Sequence, residues 1–161
     1  MSMIKASHGA NLALHRPTAQ GPETFTNELS RNTPSLYLSN KAVDGNADGT
    51  LYSHCSHTID APIMWWLVDL EDSCQIHSVA LLNRDESSYR LQNFTIDIFR
   101  KDPRLEPTFP ENFGQICAHQ VDPVGASQWV ELDCNNGPVT GQFVRIVKRS
   151  FEALTLCQVK F

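Results

Sequence analysis

Apolar and polar positions alternate with a period of two over several short stretches of this chain, and nowhere follow a helical stripe for more than two turns. Residues 66–70 alternate around Val68 and lead into an apolar run at 76–82, interrupted by His77 and Ser78. Phe94, Ile96 and Ile98 alternate with Thr95, Asp97 and Phe99. Residues 129–134 (Trp-Val-Glu-Leu-Asp-Cys) and 143–147 (Phe-Val-Arg-Ile-Val) repeat the pattern before residues 154–161 close the chain. Each stretch has strand length, and turn signals lie between them: Asp44-Gly45-Asn46, Asp48-Gly49, Asp102-Pro103, Asp122-Pro123 and Asn136-Gly137-Pro138. The pattern predicts an all-β chain folded as a single jelly-roll-like β-sandwich. Residues 101–114 read as a long loop rather than a linker, because strand-like sequence resumes after them. One domain is expected over 11–161, with residues 1–10 a disordered or added leader.

Composition narrows the function. At 161 residues, 41% of them hydrophobic and 19% charged, the chain can bury one core. Thirteen Lys and Arg against 18 Asp and Glu leave a net charge of −5, which argues against a nucleic-acid binder with a basic face. No run of about 18 apolar residues exists to insert in a membrane as a helix. The five cysteines, Cys55, Cys74, Cys117, Cys134 and Cys157, lack the close spacing of a zinc or redox motif. Scattered cysteines of this kind suit long-range disulfides in an oxidising compartment. With the glycosylation acceptor Asn93-Phe94-Thr95 they point to an extracellular, secreted protein.

Read together, several segments carry a resemblance. They are residues 11–14 (Asn-Leu-Ala-Leu), 41–46 (Lys-Ala-Val-Asp-Gly-Asn), 65–70 (Trp-Trp-Leu-Val-Asp-Leu), 76–84 (Ile-His-Ser-Val-Ala-Leu-Leu-Asn-Arg), 141–147 and 154–159. In this order and spacing the sequence resembles the F-type (fucose-binding) lectins of the discoidin-like, coagulation-factor type C superfamily, from about Asn11 to Phe161. The lectin signature is a His, 26 intervening residues and an Arg, met here by His57, residues 58–83 and Arg84. The segment that follows runs one residue shorter than the family's, with Asp85 or Glu86 as its acid and Arg90 as its second basic residue. Ser87 and Ser88 stand where the family often has adjacent cysteines.

The resemblance implies a non-catalytic lectin for terminal L-fucose on glycans, with His57, Arg84 and Arg90 gripping the sugar. The side chains alone suit that task, since a guanidinium fork reaches two adjacent hydroxyl oxygens and an imidazole adds a third donor. Leu51 and Tyr52 are placed to cover the methyl group of a deoxy sugar, and Asp85 to brace an arginine through a charge-assisted bond. One such shallow site binds weakly, so a homo-oligomer or tandem repeat is expected to supply avidity.

Asp44-Gly45-Asn46 is an oxygen-rich turn, and the resemblance implies a structural Ca²⁺ there. Its ligands would be the backbone of Lys41, the side chains of Asp44 and Asn46, a carbonyl at Ser53 or His54, and the pair Cys157 and Gln158, the last replacing the family's usual Glu and removing one negative charge. The resemblance also pairs Cys55 with Cys157 and Cys117 with Cys134, leaving Cys74 as a buried thiol. Trp66 is read as core. Two rival classes remain: a discoidin-type adhesion module for phospholipid or matrix protein, which lacks a basic rim, and a hydrolytic metal site of His54, His57 and Asp44, which lacks a helix-borne His pair.

Overall fold

A computed structural model describes residues 4–5, 11–50 and 54–161. The expectations for Leu51, Tyr52 and Ser53, and for most of residues 1–10, lie outside the described residues. Eleven strands are found among them: β1 (Ile4–Lys5), β2 (Thr18–Gly21), β3 (Ser56–His57), β4 (Met64–Ile76), β5 (Ser78–Leu82), β6 (Phe94–Phe99), β7 (Gln115–Gln120), β8 (Trp129–Asp133), β9 (Val139–Lys148), β10 (Thr155–Leu156) and β11 (Gln158–Lys160). The larger sheet runs β1-β4-β9-β6-β7, with β2 also paired to β4. A three-stranded sheet, β11-β5-β8, forms the opposite layer, and β10-β3 makes a two-stranded ribbon beside it. The short helix α1 (Glu28–Asn32) opens with a reciprocal cap between Asn27 and Ser30.

The alternation read from the sequence sorts residues between core and cover. Met64, Trp66, Val68 and Leu70 of β4, Ile96 and Ile98 of β6, and Val144 and Ile146 of β9 point into one core. Val79, Leu81 and Val159 from the facing sheet complete it. Trp66 is fully buried and donates its indole N–H to the Ser39 carbonyl at 2.9 Å. Trp65 points the other way, edge-on to Phe109 with ring centroids 4.8 Å apart.

That outer face is itself covered, which the alternation does not show. Residues 101–114 lie over it and bury an ion pair, Arg145 Nε and Nη2 donating to the Asp97 carboxylate at 2.9 and 2.6 Å. Arg145 also donates to the carbonyls of Pro110 (2.9 Å) and Asn112 (2.7 Å). One buried guanidinium therefore ties the long loop to both central strands.

The apolar run that enters 76–82 splits between layers: β4 ends in the large sheet at Ile76 and β5 begins in the other at Ser78. Residues 154–161 divide likewise, β10 pairing with β3 and β11 with β5. Cys157 sits at that division, disulfide-bonded to Cys55, and Cys117 is bonded to Cys134. Both pairings are those the resemblance implies, and Cys74 is a buried free thiol. The 102-residue separation of the first pair closes a loop whose restriction contributes about 4–5 kcal/mol in the chain-entropy treatment.

Candidate functional site

At one end of the sandwich a hollow of about 600 Å³ opens between the ribbon, the segments flanking α1 and the loop after β5. His57, Arg84 and Arg90 all line it, together with Phe25, Tyr37 and Asp60.

His57 is held by its backbone before its side chain is considered. Its N–H donates to the Tyr37 carbonyl (3.1 Å), and its own carbonyl accepts from the Phe25 N–H (2.9 Å). The imidazole is buried and lies 4.5 Å from the Phe25 ring at a 32° tilt. Nδ1 is 2.6 Å from the Thr58 carbonyl. A carbonyl only accepts, so Nδ1 carries the proton and Nε2 is left with a lone pair. Burial, with a smaller contribution from the charges of Arg84 and Arg90, lowers the pKa to about 4 against the opposing pull of the Thr58 carbonyl and Asp60. The ring is therefore neutral at physiological pH. Sequence reasoning cast it as a third donor; the structure makes Nε2 an acceptor.

Both arginines stand on a loop organised by a buried asparagine. Asn83, 1% exposed, donates from Nδ2 to the carbonyls of Ser88 and Val124, each at 2.8 Å, while its Oδ1 accepts the Arg84 N–H at 2.8 Å. A 3-10 turn, Ser88–Arg90, carries the second guanidinium, entered through Ser87 in a left-handed conformation (φ 48°). Lys148, buried at the end of β9, donates its ammonium to the Arg90 carbonyl, and burial lowers its pKa. The shortened loop thus still delivers Arg84 and Arg90 to the same hollow.

Asp85 does not join them. It is exposed, and its carboxylate accepts the Glu86 N–H at 2.9 Å. Asn83 braces the backbone of this loop through its three bonds. Sequence reasoning also missed Phe25, Tyr37 and Asp60. Phe25 and Tyr37 form an aromatic cluster with His57 (centroids 5.5 and 5.8 Å from Tyr37) but stand at no diagnostic spacing from it. Asp60 left no signal beyond its charge.

The residues expected around Ca²⁺ make bonds among themselves. Asp44 Oδ1 accepts the Asn46 N–H (2.9 Å), and Asn46 Nδ2 meets His54 Nδ1 at 2.7 Å. His54 Nε2 lies 3.6 Å from Asp48 Oδ2. Of the six described positions only Asp44 is a carboxylate, and the neutral Gln158 amide leaves the set one formal negative charge, which weakens it for a cation that takes six to eight oxygens. Nor do His54, His57 and Asp44 form a hydrolytic metal site: no group of three or more His, Cys, Asp or Glu able to hold a metal is found among the described residues.

Comparison with known proteins agrees with this geometry. The family described as NedA-like, galactose-binding domain matches residues 41–146. Fucolectin-1 of Anguilla japonica is 36% identical over 167 residues, covering 99% of this chain and 88% of that relative. The crystal structure of the fucolectin from Morone saxatilis (striped bass) serum superposes with a TM-score of 0.75 at 29% identity. It covers 94% of this chain, which spans 46% of the bass chain. A Streptococcus pneumoniae fucose-binding module superposes with a TM-score of 0.71 at 25% identity over 94% of this chain and 93% of its own. With its sandwich, both disulfides and the His-Arg-Arg hollow in place, the chain belongs to the fucolectin family of F-type lectins, within the galactose-binding-like domains.

Proposed function

We infer that this chain is a non-catalytic lectin that binds terminal L-fucose on glycans in the hollow of His57, Arg84 and Arg90. One observation carries the reading: a buried, neutral imidazole whose free nitrogen accepts, set beside two guanidinium groups that only donate. A sugar hydroxyl accepts from an arginine while donating to Nε2, so each group meets its complement. A fully ionised phosphate or carboxylate offers no hydrogen to Nε2 and leaves a buried acceptor facing an acceptor. Phe25, Tyr37 and Ile59 supply apolar wall for the methyl of a deoxy sugar. The choice of fucose rests on the relatives, whose names and descriptions are those of fucolectins and a fucose-binding module.

Two disulfides favour secretion to an oxidising compartment. A single hollow of this size supports weak monosaccharide binding, so avidity comes from several copies presented together. The test is a glycan array followed by calorimetric titration with L-fucose. Binding confined to fucosylated glycans is the expected result. Silence there, with binding to anionic vesicles or collagen instead, would mark an adhesion module.

A further inference from the structure

We propose that in this chain the Gln158 side-chain amide replaces the structural cation, closing the Asp44–Gly45 turn directly and making the fold and sugar site independent of Ca²⁺. Gln158 is 3% exposed on β11, next to the Cys157 disulfide that ties this strand to the His57 segment. With its amide nitrogen towards Asp44, it donates to Oδ1 at 3.3 Å, and its oxygen accepts the Gly45 N–H at 3.2 Å. Both ends are then satisfied.

A cation between Asp44 and Gln158 requires the opposite orientation, with the amide oxygen turned to the metal. The NH₂ group of the buried Gln158 side chain would then face the Gly45 N–H, donor against donor. A glutamate at 158 has no such conflict over a metal, because it carries oxygens only and brings a second negative charge. Gln158 has the reverse chemistry: one donor for Asp44, one acceptor for Gly45 and no charge. The second clamp follows the same logic. Asn46 Nδ2 donates to His54 Nδ1, joining the turn to the start of the segment that carries His57 without any ion.

The test compares thermal midpoints and fucose affinity in excess EDTA and in excess Ca²⁺. Wild-type protein is expected to keep one midpoint in both buffers, with a fucose Kd unchanged within about twofold, because a ligand that does not bind the native state cannot shift it. Gln158→Glu sets two carboxylates against each other, so its midpoint in EDTA falls below wild type and rises again with Ca²⁺. A wild-type midpoint that drops in EDTA and returns with Ca²⁺ would overturn the proposal, and so would a Gln158→Glu protein as stable as wild type in EDTA. The midpoint reads this claim whether or not the hollow binds fucose.

Discussion

Truncating Asn83 to Ala removes the hub of the arginine loop, and its cost can be worked from the bonds it makes. Three hydrogen bonds disappear, each 2.8 Å long and two of them fully buried. The Ser88 carbonyl keeps a second partner, the Leu91 N–H at 3.2 Å, so it is not orphaned. The Val124 carbonyl has no other partner among the described residues, and an unsatisfied buried group costs about 1–3 kcal/mol, with about 0.5–1.5 kcal/mol more for each of the other two bonds lost. The expected loss is therefore about 3 kcal/mol, a fall of about 6–12 °C in thermal midpoint for a chain of this length. Fucose affinity falls with it, because binding draws on the fraction of molecules with the loop ordered. Differential scanning fluorimetry and calorimetric titration of Asn83→Ala measure the two effects. A midpoint within about 1 °C of wild type would show that the loop stands without its asparagine.

Three further outcomes follow from the same geometry. Arg90→Ala removes charge-assisted bonds worth about 1.5–3 kcal/mol, so fucose affinity should drop about ten- to a hundredfold while the midpoint stays near wild type; unchanged affinity would remove Arg90 from the site. Because the folded His57 pKa is about 4 and the unfolded value 6.5, the unfolded chain takes up the proton first. This contribution to stability is complete above pH 6.5, is lost as pH falls towards 4, and is on the order of 3 kcal/mol. Fucose affinity should stay level down to about pH 5 and decline below pH 4, where Nε2 becomes a donor; a midpoint near pH 6.5 would contradict the buried, neutral ring. Arg145→Leu strands the Asp97 carboxylate beneath the 101–114 loop and should cost about 3–5 kcal/mol in chemical denaturation, whereas the double variant with Asp97→Leu should recover much of it.

What could be read from the sequence and what could not divide along physical lines. Strands β6, β8 and β9 were legible because one face of each meets the core and the alternation of Phe94, Ile96 and Ile98, or of Val144 and Ile146, reports that contact directly. The His57-to-Arg84 interval was legible through the family resemblance, and β4 and β5 are the strands that lie between its two ends. Asp97 and Arg145 occupy the alternate positions and look like solvent-facing residues; a loop distant in sequence buries them, and nothing local announces it. Asn83 is one letter of the 76–84 segment with no signal of its own, although its three bonds organise the site. The protonation of His57 follows from burial and from the Thr58 carbonyl, neither of which a pattern of letters contains. Asp85 beside an arginine suggests a pair, and the bond its exposed carboxylate makes to the Glu86 N–H is not something the pattern reveals.

The most direct measurement is a crystal structure of this protein soaked with L-fucose. The sugar should lie in the hollow with one hydroxyl within hydrogen-bond distance of His57 Nε2 and with the Arg84 and Arg90 guanidinium groups donating to its oxygens. Fucose seated elsewhere, or bound without contact to Nε2, would contradict the account.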